Sequence, residues 1–147
     1  MAAMSDYLEN KIIDFVFRGQ TFTPPATLYV ALFTTADNDA GSQRVEVSGG
    51  SYARAAVTSS LANWAGTQGT GTTTASTGTG GTTSNNNAIT FPAPTAGWGT
   101  IVGIGIFDAA TAGNELWYGS LTTSKTVNSG DAAPSFSAAA LSIQIDT

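Results

Sequence analysis

The run Ile101-Val-Gly-Ile-Gly-Ile-Phe107 constrains this chain more than any other stretch. It carries β-branched side chains and no charge, so it spells a strand covered on both faces. Glu115 to Leu121 follows with Leu116, Trp117 and Tyr118, and the segment between, Asp108-Ala-Ala-Thr-Ala-Gly-Asn114, is turn chemistry. The pattern predicts an antiparallel hairpin at the centre of the fold. Gly103 and Gly105 fall on one face, two residues apart. The bare backbone there admits a large ring, and Trp98, Trp117 and Tyr118 are the candidates. Trp117 is expected to be largely buried.

Further strands surround that hairpin. Leu28 to Thr35 is entered through Pro24-Pro25, which fixes an extended backbone. Arg44 to Val47 reads as a short edge strand. Tyr52 to Thr58 reads as another, with Arg54 directed to solvent or an interface. Ala88 to Phe91 and Ser124 to Val127 are short. Ala139, Leu141, Ile143 and Ile145 alternate with Ala140, Ser142, Gln144 and Asp146, which places one face in the core and one in solvent. About seven or eight short strands separated by turns predict a mainly β fold. The expected architecture is an antiparallel, jelly-roll-like β-sandwich with one N-terminal α-helix.

That helix spans about residues 6–18. Ser5 or Asp6 caps it, and Gly19 stops it. Leu8, Ile12, Phe15 and Val16 form an apolar stripe that Ile13 and Phe17 widen. Two roles stand open: docking to a partner, or closing one end of the domain's own core. Residues 1–5 are expected to form a mobile arm. Residues 65–87, built of Thr, Gly, Ser and Asn, hold no charge and no large apolar side chain. The half before them is too strand-poor to close a core. They are therefore an excursion within one domain, 1–147, rather than a linker. The excursion is either ordered against a neighbouring subunit or a loose surface loop, and its removal is expected to leave the sandwich folded.

Only 10% of residues are charged, against roughly 25% in ordinary soluble domains. Such a surface suits a protein largely covered by partners, or an extracellular or virion protein. Net charge is −5 and the five basic residues are scattered, so no patch exists to neutralise phosphates. Histidine and cysteine are absent, which removes the usual general base, thiol nucleophiles and the common metal ligands. Asp108 and Glu115 flank the central turn and are the one pair a glycosidase could use, but no sugar cleft accompanies them. Asp37-Asn38-Asp39 lacks the closing glutamate of a calcium loop and reads as a turn. Gly103-Ile-Gly105 is followed by no third glycine and no helix, so it is no dinucleotide fingerprint. No apolar run has membrane-spanning length, and no secretory signal opens the sequence. No catalytic residue, cofactor or metal is assigned.

Several motifs carry a family resemblance. They are Tyr7-Leu-Glu-Asn-Lys11, Phe17-Arg-Gly19, Pro25 to Thr35, Gly49-Gly-Ser-Tyr-Ala-Arg54 and Asn87-Ala-Ile-Thr-Phe-Pro92. Trp98-Gly99, Gly105-Ile-Phe-Asp108, Tyr118-Gly119 and Asn128-Ser-Gly-Asp131 extend it over nearly the whole chain. Together they resemble small tailed-bacteriophage virion proteins, often labelled tail fibre proteins. Similar small β proteins are capsid cement, or decoration, proteins that bind the head exterior as dimers or trimers. The resemblance implies a non-enzymatic virion structural protein, made in the host cytoplasm, without nucleic-acid or membrane partners. A decoration protein bridging major capsid protein subunits is the first expectation. A tail fibre or tail-tip component, contacting other tail proteins or a host receptor, is the alternative. A lectin-like module would also suit a β-sandwich, but no sugar site is recognisable. Contacts are expected at Ala2, Met4 and Tyr7, and at Thr70, Thr74, Thr79 and Asn85 of the excursion.

Overall fold

A computed structural model describes residues 2–145. In chain order its elements are β1 (Ala2–Met4), α1 (Asp6–Phe17), β2 (Thr27–Thr35), β3 (Val45–Glu46), β4 (Ala55–Thr58) and β5 (Thr82–Ser84). They continue with β6 (Ile89–Thr90), β7 (Gly99–Phe107), β8 (Glu115–Val127), β9 (Ser135–Phe136) and β10 (Ser142–Gln144). The main sheet runs β1-β8-β7-β2-β3, with β4 also on the outer side of β2. All its pairings are antiparallel. Two ribbons, β5-β10 and β6-β9, form a second layer. The result is a β-sandwich with an N-terminal helix, as the strand spacing predicts.

The expected hairpin is β7-β8, with Gly105 opposite Tyr118 and Ile106 opposite Trp117. β7 is central and almost wholly buried because β2 flanks it on the other side. Strand alternation sorts its side chains. Ile104 and Ile106 join Val30 and Leu32 of β2 in the main core, which the ribbons cover with Ile89, Leu141 and Ile143. Phe107 joins Ala31 and Phe33 in a second, smaller cluster on the opposite face.

Of the glycine pair only Gly105 admits rings, and they are not the tryptophans; Gly103 lies against Gly119 O and Ala36. A methyl on Gly105 would overlap Phe33, Phe107 and Glu115 Oε1. The two phenylalanines meet edge to face, 6.3 Å between centroids, over that gap. Trp117 lies on the main-core face next to the sheet's outer strand and is only half-buried. Trp98 is the buried tryptophan. Its indole N–H donates to Gly50 O at 2.9 Å and its ring stands edge-on to Tyr52.

Four further differences have local causes. Residues 2–4 are no loose arm: they pair with Trp117 to Gly119 and form the sheet's outer strand. Ser124 to Val127 is not a separate strand. Two steps of β7, Ile101 to Gly103, face five of β8, Ser120 to Lys125, so a wide bulge joins both segments into one. Tyr52 to Arg54 precede β4, and the Tyr52 hydroxyl accepts the Leu32 N–H in the gap between β3 and β4. In the alternating C-terminal run only Ser142 to Gln144 are strand. Ala139 adopts a positive φ of 65° in a turn, and Ile145 is exposed. Met1 and Asp146 lie outside the described residues.

The excursion is more ordered than its composition suggests. Its final residues form β5, and Ala65 N–H donates to Ser84 O. The Thr67 hydroxyl accepts from Gly78 N–H and donates to Gly78 O, which closes a neck. Inside the loop Gln68 donates to Ala75 O, and Thr72 and Asn86 bind backbone groups. Removal of 66–86 would therefore delete β5 and the buried Asn85, contrary to expectation, and the sandwich would not survive. Joining Gln68 directly to Thr77 is a different matter. It removes chain that is exposed except at the half-buried Thr72, plus a few hydrogen bonds worth about 1 kcal/mol each, among them those that tie Gly71 and Thr72 to Gly66 and Asn86. We expect that variant to melt cooperatively within several degrees of the parent; loss of the cooperative transition would show that the loop supports the core.

Candidate interaction surface

Helix α1 is pinned at one end only. Ser5 caps it by accepting Leu8 N–H, and its own hydroxyl donates to Glu115 O. Ser5 N–H donates to Leu116 O and Asp6 N–H to Asp39 O. The first turn is thus tied to β8 and to the loop after β2. Leu8 is the only buried residue of the helix. Beyond it the helix overhangs the sheet. Ile13 is 49% exposed, Phe15 56%, Val16 59% and Phe17 79%. The helix then stops as expected, at Gly19 with φ 67°. Of the two roles left open, closure of the core is not what the helix does: the stripe of Leu8, Ile12, Phe15 and Val16 buries Leu8 alone. The sequence did carry a signal for this. Ile13 and Phe17 broaden the stripe beyond what a core-facing helix requires.

The expected contact residues fall into two groups. Ala2, Met4 and Tyr7 lie on β1 and the first turn of α1, with Met4 and Tyr7 half-buried. Thr70, Thr74 and Thr79 are exposed on the excursion loop. Asn85 is 1% exposed and therefore belongs to the interior, not to a contact surface.

Beside the helix cap lies a polar cluster that roofs the Phe33–Phe107 face. The Arg54 guanidinium sits 3.6 Å from the Phe107 centroid, and Arg44 lies 5.1 Å from it. Arg54 grips Glu46 with two bonds and donates to Ala109 O and Ala112 O. It faces inward, not to solvent, with its side chain only 6% exposed. Arg44 bridges Asp37 at 2.8 Å and Glu115 at 3.1 Å. Asp37 also accepts the N–H groups of Asn38, Gln43 and Arg44, confirming the turn reading of 37–39.

Glu115 is buried, and its Oε1 faces Gly105 and the phenylalanines with no hydrogen-bond partner. Burial, then the hydrogen bond and charge of Asp37, push its carboxyl up to about 8. Burial acts to raise Asp37 too, but bonds from Glu115, Arg44 and the backbone hold it at about 2. The two shifts favour a proton held on Glu115 beside an ionised Asp37. The unfolded chain releases that proton near the ordinary carboxyl value, so the folded state binds more protons from there up to about 8. Stability must fall as pH rises through that window. We expect the melting temperature to decline between about pH 5 and about pH 9, and Glu115→Gln to flatten the decline. A flat wild-type profile would show that Glu115 is ionised throughout.

Asp108 is engaged by Asn114, which donates to both its oxygens at 2.7 Å, and Glu115 is sealed beneath Arg44. The two carboxyls that flank the central turn are thus turn supports. Asp6, Glu9 and Asp39 form an exposed acidic trio with ligand atoms within 4.8 Å. A groove of about 400 Å³ between β8 and β10 is lined by Ile104, Leu121, Phe136, Leu141 and small polar residues, none ionisable. Among the described residues no helix is long and apolar enough to cross a membrane.

No curated protein matches the chain. A family model described as podophage GP4 fiber I protein gp80 matches residues 3–144, from β1 to the last strand. The match spans both the sandwich and the overhanging helix, and with it the chain belongs to this family of phage virion proteins.

Proposed function

We propose that the protein is a non-enzymatic structural subunit of a phage fibre, built into the particle through the apolar end of α1. The observation that carries this reading is the family match over residues 3–144, whose description names a fibre protein. The exposed apolar side chains of α1 support it. Clustered exposed apolar side chains of this kind mark an interaction site on a protein surface. The sandwich supplies a rigid platform, and the sparse surface charge leaves binding to apolar and backbone contacts. Exposed ion pairs would add only about 0–1 kcal/mol each. The neighbours on this reading are other fibre or tail proteins.

The test is location and copy number. Imaging purified particles with an antibody against this chain should label fibres, at a few copies per particle. Labelling of the head lattice at hundreds of copies, against the major capsid protein, would make it a decoration protein instead. Absence from the particle would overturn both readings.

A further inference from the structure

We propose that the Glu115 carboxyl is a proton-operated latch, which holds helix α1 against the sheet while neutral and releases it on ionising. The latch lies within one chain and is independent of which neighbour α1 meets.

The anchors of α1 converge on the two segments that carry one pair of acids. A bulge at Leu116 breaks the β7-β8 register, with Ile106 opposite Trp117 but Phe107 opposite Glu115. Such a bulge re-aims the backbone groups of its strand. The carbonyls of Glu115 and Leu116 accept the Ser5 hydroxyl and the Ser5 N–H. The third anchor, Asp6 N–H, ends on Asp39 O, two residues past Asp37. The same two segments, the start of β8 and the loop after β2, each bring a carboxyl to Arg44.

Arg44 cannot serve both acids fully. Its Nη1 carries two hydrogens and faces three acceptors: Asp37 Oδ2 at 2.8 Å, Gly41 O at 2.7 Å and Glu115 Oε2 at 3.1 Å. Glu115 has the longest of these contacts. Its other oxygen, Oε1, is buried without a hydrogen-bond partner against Gly105, Phe33 and Phe107. A neutral carboxyl tolerates that place far better than a carboxylate. The surrounding groups offer no relief. Arg54 is committed to Glu46 and to the carbonyls of Ala109 and Ala112. Asp108 is held by Asn114. On the helix side stand the exposed acids Asp6, Glu9 and Asp39, while Lys11 lies over the Tyr7 ring. On β8 the Tyr118 hydroxyl is pushed above its ordinary value by burial and the acids around it.

Docking and proton binding are therefore linked. With the helix docked, burial and Asp37 push the Glu115 carboxyl up to about 8. With the helix released, the start of β8 is free to turn its side chain to water, where a glutamate ionises near 4.5. The docked state thus holds a proton that the released state lacks. Between those values each pH unit multiplies the ratio of released to docked helix by about ten. Release grows as pH rises and levels off past about 8. Because α1 carries the exposed apolar end, the proton sets how that end is presented.

Amide hydrogen exchange of the full chain, followed by NMR from about pH 5 to about pH 9.5 and corrected for intrinsic rates, tests the latch. The Ser5 and Asp6 amides are the anchors themselves, and Ile104 reports the core. Protection of Ser5 and Asp6 should lie well below that of Ile104, fall about tenfold per pH unit, and level off where the Glu115 carboxyl carbon signal titrates. Glu115→Gln, which cannot ionise, should make their protection independent of pH. Asp37→Asn removes the neighbouring charge and should move both the carboxyl midpoint and the levelling-off to lower pH by the same amount. Protection that ignores pH in wild type, or that falls equally in Glu115→Gln, would overturn the proposal. So would a Glu115 midpoint in the ordinary carboxylate range. Ser5 and Asp6 amides as protected as Ile104 would show that the helix leaves only when the whole sandwich unfolds, and would overturn it too.

Discussion

Arg54→Ala should destabilise the protein by about 3–5 kcal/mol, a large part of the stability of a domain this size. The guanidinium makes four hydrogen bonds from a nearly closed position: two to Glu46, one to Ala109 O and one to Ala112 O. It also covers the face of Phe107 at 3.6 Å. Truncation strands the Glu46 carboxylate, frees the β7-β8 turn and opens a void above the ring. Breaking one half of a buried pair costs more than the pair contributes, because the remaining charge loses its compensation. Arg54→Lys is the informative control. It keeps the charge but cannot present a planar fork to Glu46 and two carbonyls at once, so most of the loss should persist. Denaturant titration would read a lower midpoint at unchanged slope. A loss below about 1 kcal/mol would place Arg54 among ordinary surface pairs.

Asn85→Leu should cost a comparable amount, by another route. The Asn85 side chain donates to Asn87 O and Ser137 O and accepts from Leu141 N–H. Its backbone exchanges bonds with Leu141 O and Ala139 N–H. Leucine keeps the volume and leaves the buried Leu141 N–H without a partner, at about 1–3 kcal/mol, together with the part-buried carbonyls of Asn87 and Ser137, which cost less. Because Ser137 and Leu141 bracket the turn that leads into the last strand, the damage should appear there first. Hydrogen exchange should quicken over residues 137–144 before the rest of the sheet. Asn85→Asp sharpens the test. An ionised carboxylate would face two carbonyl oxygens, so its pKa rises in the folded state. The variant should then be most stable in acid and lose stability as pH climbs past the ordinary aspartate value of about 3.9. A variant that tolerates neutral pH as well as wild type does would show that water reaches the site.

Much of this architecture is written in local patterns. Ile101 to Phe107 reads as a central strand because both its faces are apolar, and the hairpin follows from the turn residues after it. Ser5 and Gly19 mark the helix ends with equal clarity. The misread parts depend on partners distant in sequence. Alternation over 139–145 looked like one strand, but Asn85 takes the N–H groups of Ala139 and Leu141 and bends the chain between them. Arg54 in an apolar context looked solvent-bound because its acid, Glu46, and its ring, Phe107, belong to other strands. Residues 2–4 show no strand signature of their own and are held by the exposed flank of β8. The helix shows the opposite case. Its apolar residues were read correctly as a stripe, but a stripe gives no address, and only the fold shows that most of it faces outward.

The neck between Thr67 and Gly78 has a consequence for how such a chain can change over generations. Beyond that neck the chain is polar and, apart from the half-buried Thr72, exposed; some of its bonds stay within it, and Gly71 and Thr72 tie it back to Gly66 and Asn86. Loop closure is insensitive to length, about 0.6 kcal/mol for each doubling. Insertions, deletions and substitutions between residues 73 and 77 therefore carry little folding penalty, whereas changes at Gly71 and Thr72 break the ties to Gly66 and Asn86. Sequence drift under pressure from a changing host should collect in that segment first. For the same reason it is the place to graft a foreign peptide, an affinity tag or an epitope, and have it carried outward on an unaltered scaffold.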